Sequence, residues 1–228
     1  MILEAMCRDL AQLPERVWAA YALSREPLRG KFTPDSYLPY YDRAKQCGYD
    51  RAEAVLAAEG TASGQELAQR WGVEIRQKPM PYGGGIVTFA CYYEDSHIEL
   101  FRDNAEATMD LLETAGLSEL FGHTDIVQML LAHELFHFLQ GKEPTLYVNQ
   151  ARIVLWKLLG YERRSRILSL EEVASMAFAQ RLLGMNVNPY VFDVLMLLPR
   201  FPEQAGELYR TIMTLQEEVT ANERAHLR

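Results

Sequence analysis

From Asp125 to Gln140 the chain reads DIVQMLLAHELFHFLQ, with no proline and no glycine until Gly141, and it is apolar nearly all the way round. A helix without a polar face has no side to turn to water, so this one is expected at the centre of the fold with other segments packed about it. Yet the run carries His133, Glu134 and His137 as His-Glu-Leu-Phe-His. Residues four apart project from one face of a helix, so both imidazoles can reach a single point. Two imidazoles and a carboxylate need partners when buried, and a metal ion with its water satisfies all three. His-Glu-x-x-His on a helix reads as a Zn²⁺ site, with His133 and His137 as ligands and Glu134 as the general base beside the water that the metal activates.

An open zinc site takes a third protein ligand. The run LEEVASMAFAQRLLG, residues 170–184, is a second apolar helix stopped by Gly184, and its first turn carries Glu171 and Glu172. Neighbouring helical residues lie about 100° apart, so only one carboxylate can face the metal. Glu172 shares its face with Ser175, Met176, Ala179 and Leu183; Glu171 leans toward Ala174, Ser175 and Phe178. Small residues follow either choice and let a second helix approach closely. Carboxylates also suit a helix N-terminus through the dipole alone. The pattern leaves both residues open as the ligand.

Three segments carry a likeness to a known group. LLAHELFHFLQ resembles the metal helix of the zinc-dependent gluzincin peptidases and, more distantly, of the small cytoplasmic metallopeptidases of the ImmA/IrrE type. EVASMAFAQRLL is similar to that group's E-x-x-A-x-x-F-A-x-x-L-L, an alignment that favours Glu172 over Glu171. GQELAQRWGVEI, residues 64–75, looks like the helix, glycine and strand that precede the catalytic part. The likeness spans roughly residues 62–185 and places the chain as a divergent bacterial branch, with a stretch from His137 to Glu172 that is long for the group. It implies an α+β, mostly helical, zincin-like domain with a small, mainly antiparallel sheet beside the metal helix. It also implies peptide-bond hydrolysis by a zinc-activated water, with His133, His137 and Glu172 as ligands and Glu134 as base. The reading from another class is a metal-binding regulatory or interaction protein that keeps the fold with little or no turnover.

With 228 residues, about half of them apolar, one compact domain is expected. It divides into an N-terminal helical region (1–61), a catalytic core (62–185) and a C-terminal helical region (186–228). The net charge of −8, and the lack of basic residues interleaved with aromatics, give no support to nucleic-acid binding. Arg163-Arg164-Ser165-Arg166 reads as a solvated face or loop before the second helix. Cys7, Cys47 and Cys91 are odd in number and lack a Cys-x-x-Cys, which points to reduced thiols. The opening MILEAMCRDLAQL lacks the basic start and long apolar run of a signal peptide, so none is expected, and no run reaches the roughly 20 apolar residues that span a bilayer. A cytoplasmic protein is expected, with a peptide or protein substrate and neither nucleic acid nor membrane as partner.

Elsewhere the sequence is less specific. Residues 2–25 read as an amphipathic helix in which Pro14 opens a second segment at Glu15, and residues 37–58 read as another helix. Tyr37, Tyr40, Tyr41 and Tyr49 are expected in packing. Gly72 leads into a strand at 73–75. The Gly83-Gly84-Gly85 turn precedes a strand over 86–93, and residues 97–102 pair back on it as the edge strand of a hairpin. A peptide substrate would add to that edge by main-chain pairing. Tyr147 offers a phenol to an oxyanion. His123 reads as an exposed loop residue, and Thr124 or Asp125 as the cap of the metal helix.

Overall fold

The computed structural model describes residues 2–79, 88–94 and 97–226. The expected glycine turn at 83–85 lies outside them. The chain opens with α1 (Ile2–Ala11) and α2 (Glu15–Ser24), separated at Pro14, which serves as the N-cap of α2. The long α3 (Pro34–Glu59) starts in a capping box, with the Thr33 and Ser36 side chains each bonding the other's backbone N–H. α4 (Gly64–Arg70) follows, then β1 (Glu74–Gln77), β2 (Ala90–Tyr93), β3 (His97–Leu100) and α5 (Arg102–Thr114). The metal helix expected from the sequence is α6 (Ile126–Lys142), and the Asp125 side chain caps it by accepting from Gln128 N. After the short α7 (Tyr147–Gln150) come β4 (Arg152–Leu158) and β5 (Tyr161–Arg166). α8 (Ser169–Leu183) ends at Gly184, whose φ of 64° is left-handed, and α9 (Val191–Leu195) and α10 (Pro202–His226) complete the chain.

The fold is α+β and mostly helical. α6 is the centre, with Leu131, Ala132, Leu135 and Phe136 almost without exposure. α3 packs along α8, and α8 packs on α6. That layering depends on Gly48, where a Cβ would fall 2.9 Å from Ala177 Cβ, and the approach of α4 to α6 depends on Gly64, where one would fall 2.8 Å from Leu131 Cβ. The buried cluster draws residues from α1, α2 and α3 as well as from α9 and α10, so both ends of the chain share the core of the central segment. Tyr37 and Tyr41 are part of that packing.

The sheet differs from expectation in two ways. β1 pairs in parallel with β3 and β2 pairs antiparallel with it, in the order β1-β3-β2, so the sheet is mixed. The segment 97–102 is therefore no edge: β3 is central, and all four of its residues are buried. A strand buried on both sides must satisfy both edges of its main chain, and β1 supplies the second partner. The edge beside α6 is β2. Residues 152–166 form a separate two-stranded hairpin, whose second strand holds the Arg163–Arg166 patch read from sequence as a solvated face or loop. With α7 it fills the long stretch between His137 and Glu172. Among the described residues no helix is long and apolar enough to cross a membrane.

Candidate metal centre

Side chains from two helices converge on one point. His133 and His137, one turn apart on α6, bring their Nε2 atoms to 3.2 Å. Glu172, in the first turn of α8, places Oε2 3.4 Å from His133 Nε2 and Oε1 3.6 Å from His137 Nε2. Ligands about 2.0–2.1 Å from a tetrahedral ion stand roughly 3.3 Å from one another, so the spacing suits one small cation. Among the described residues this is the group of His, Cys, Asp and Glu side chains whose donor atoms all lie within 4.8 Å of one another.

His137 and the helix turn of Glu172 are held from behind. The Gln140 amide donates from Nε2 to Glu171 Oε2 at 2.8 Å and to Asn149 Oδ1 at 3.2 Å, which turns Oε1 toward His137 Nδ1 at 3.2 Å. The Nδ1–H then donates to Gln140 and leaves Nε2 as the ligating atom. Glu171 also accepts from Arg166 Nη2 at 3.0 Å. It is thus a partner of Gln140 and stays out of the donor set. On α8, Ser175 Oγ lies 3.4 Å from His133 Nε2. The N-terminus of α8 is capped from far away: wholly buried Glu26 accepts from Ser169 N at 2.8 Å and from Ser169 Oγ at 3.0 Å. Tyr37 OH, 2.7 Å from Ser169 Oγ, closes that network. The first turn that carries Glu172 is fixed in place by residues of the N-terminal third.

Glu134 points into the same cleft from the next position on α6. Its Oε2 accepts from Tyr92 N at 2.7 Å. Phe89 O takes Phe101 N, so the alternate residues Ala90 and Tyr92 turn their main-chain groups away from β3, and β2 presents them to the cleft. Phe138 anchors this edge, stacked on Trp71 and meeting Tyr92 edge-on with centroids 6.0 Å apart. The cleft has a volume of about 410 Å³, and Arg25, Met176, Asp193 and Met196 also line it. Asp193 Oδ2 accepts from Arg25 Nη1 at 2.8 Å and from Tyr21 OH at 2.9 Å. Burial pushes the Asp193 carboxyl up, against the pull of Arg25.

The charges are coupled. Burial opposes protonation of His133, but the hydrogen bond and charge of Glu172 outweigh it and lift the ring to about 9. Burial likewise works against ionised Glu172, and His133 with His137 and Arg25 hold its carboxyl down to about 2. At neutral pH the ion-free site therefore keeps a proton on His133 facing a carboxylate, and a cation must displace that proton. Cation affinity is expected to rise about tenfold per pH unit between about 7 and 9 and to level off above. Titration calorimetry in two buffers of different ionisation enthalpy should read about one proton released per ion at pH 7. No proton release would contradict a shared proton in the site.

Tyr147 does not reach this site: it lies in α7 with the Arg43 guanidinium 4.3 Å above its ring. His123 is exposed, at a positive φ of 51°. Sequence reasoning missed Gln140, Arg25, Tyr92 and Asp193. For Asp193 there was a signal, a lone carboxylate inside the apolar run YVFDVLMLL. No protein-family model, no curated protein and no solved structure matches the chain.

Proposed function

We propose that the protein is a zinc-dependent metallopeptidase of the zincin type, acting in the cytoplasm on a peptide or protein substrate. The observation that carries this reading is the convergence of His133 Nε2, His137 Nε2 and the Glu172 carboxylate in a cleft that also holds Glu134. Two imidazole nitrogens and one carboxylate oxygen are the donor chemistry of catalytic zinc sites that keep an open position. Zinc held there supplies Lewis acidity, which brings the pKa of water toward neutrality and polarises a scissile carbonyl.

The chain's own residues do the rest. Glu134 takes the proton of the attacking water and returns it to the leaving amine. Gln140 holds the His137 ring with Nε2 forward, and the Glu26 cap holds the helix turn of Glu172. The outward groups of Ala90 and Tyr92 pair with an extended peptide along β2, which reads backbone rather than side chains. Because Tyr92 N–H already bonds Glu134, an incoming peptide carbonyl competes for that donor and frees the carboxylate for the proton. One observation favours a second reading, a metal-binding interaction protein with little turnover: the Glu134 carboxylate is engaged by the edge strand before any substrate arrives.

The test is elemental analysis of protein purified without added metal or a His-tag, beside its variants. About one zinc per chain is expected, lost in His137→Ala and Glu172→Ala and kept in Glu171→Ala. Gln140→Leu, which removes the hold on His137, is expected to weaken zinc by about ten- to a hundredfold. A folded wild type that takes up no zinc would sink the proposal.

A further inference from the structure

Among the described residues the β4–β5 hairpin is the most exposed apolar feature. Trp156 is 49 % exposed, Leu158 63 %, Tyr161 59 % and Leu159 100 %. Cross-strand pairs place Trp156 beside Arg163 and Leu158 beside Tyr161 on one face, and Lys157 beside Glu162 on the other. A register shift between Val154 and Trp156 produces this division. It sets Trp156, Leu158 and Tyr161 on the face of Ile153, and the Trp156 and Tyr161 rings lie 5.6 Å apart. Within the hairpin, Ile153 is the residue that packs against the core.

Two properties of the tip are unfavourable for a hairpin that stands alone in water. Leu159 has φ 48° and Gly160 has φ 84°, the positive pair of a two-residue turn in which Asn-Gly fits best. An aliphatic side chain is thus held in a left-handed backbone and wholly in solvent. Such a residue points to something that covers it. The second property is charge. Residues 152–166 carry five cations, Arg152, Lys157, Arg163, Arg164 and Arg166, against one anion, Glu162, in a chain of net charge −8. Lys157 and Arg164 share Glu162, Arg166 takes Glu171, and Arg163 has no carboxylate partner among the described residues.

We propose that this hairpin docks the protein on a membrane surface rich in anionic lipid, with the Leu158-Leu159 tip in the acyl boundary and Arg163, Arg164 and Lys157 at the headgroup phosphates. The order along the ribbon suits that interface: an aliphatic tip level with Tyr161, then Lys157, then Trp156 beside Arg163, then Arg164. At about 3.3 Å per residue Lys157, Arg163 and Arg164 stand roughly 3, 7 and 10 Å behind Leu158, so the two arginines fall within the 5–10 Å depth of interfacial segments. A two-stranded ribbon offers a protein partner no concavity and only a narrow face, whereas a bilayer needs neither. Surface docking requires no spanning helix. It reverses the sequence expectation of no membrane partner and of a merely solvated basic patch, and it does not depend on the metal centre.

The full chain is sedimented with vesicles of phosphatidylcholine alone and with about one-third phosphatidylglycerol, at low and high salt. Binding is expected on the anionic vesicles, at least about tenfold weaker on the neutral ones and weakened by salt. Trp156 emission shifts to the blue on binding, and Trp156→Phe removes the shift. Leu159→Asp, at a fully exposed position, is expected to lose at least about tenfold in binding with an unchanged melting temperature, and Arg163→Glu with Arg164→Glu to lose as much. Equal binding of the Leu159→Asp chain overturns the proposal, as does a wild type that ignores anionic vesicles. A vesicle-inert chain that Leu159→Asp converts from dimer to monomer overturns it too, and assigns the tip to a second copy.

Discussion

Glu134→Gln is expected to abolish hydrolysis of any peptide that the wild type cleaves, while zinc content and melting temperature stay unchanged. Glutamine keeps the shape of the side chain and an oxygen that accepts from Tyr92 N–H, so the packing of α6 against β2 survives. What it loses is the ability to take a proton from water and hand it on. General-base catalysis of this kind contributes about 10²–10⁴ in rate, or about 3–5 kcal/mol of barrier. The loss should fall on kcat with little change in KM, because the glutamine oxygen still meets the incoming peptide at Tyr92 N–H as Glu134 does, and only the proton transfer is lost. Wild-type rates in the variant would remove Glu134 from the chemistry. A wild type that binds zinc but cleaves nothing would favour the interaction reading instead.

The largest structural effect is expected from Gly48→Ala. Alanine normally strengthens a helix relative to glycine by up to about 1 kcal/mol. At Gly48 the added Cβ falls inside the contact distance of the Ala174 carbonyl oxygen and 2.9 Å from both Ala177 Cβ and Phe178 N, so it meets backbone of α8 that cannot turn aside. α3 and α8 must then separate. Overpacking of this kind costs about 1–3 kcal/mol and sometimes more, and backbone contacts put Gly48 at the upper end. For a chain of this size that is a melting temperature lower by roughly 6–12 °C. Because α8 lies between α3 and α6 and carries Glu172, zinc affinity should fall as well. Gly141→Ala is the control: it lies in α6 with nothing near its missing Cβ, and it should stabilise slightly. A Gly48→Ala protein that melts at or above wild type would contradict the close approach of the two helices.

What could be read in the sequence was what is local in the chain. His133 and His137 share a face because the period of a helix puts them there, and the Asp125 cap and Gly184 stop lie next to the turns they end. The choice between Glu171 and Glu172 needed a tertiary fact, the hold of Gln140 and Arg166 on Glu171, because helix phase left both open and only the resemblance favoured Glu172. Other elements were hidden for physical reasons. The turn at Leu159-Gly160 lacks the Asn or Asp that marks a hairpin, and the arginines of β5 resemble a loop. The central place of β3 depends on β1, which pairs with it directly in parallel although β2 comes between them in sequence. The cap of α8 comes from Glu26, 143 residues upstream, and no local pattern announces a partner at that range.

That distant cap sets the order in which the molecule can be completed. During synthesis Glu26 leaves the ribosome long before Ser169, and until then its carboxylate has no helix end to receive it and is better left in water. The arrival of Ser169 lets Glu26 go inside, and the same turn of helix delivers Glu172 three residues later. A nascent chain therefore carries two imidazoles without their carboxylate while the stretch between His137 and Glu172 is being made. The donor set closes only when the first and last thirds of the chain meet.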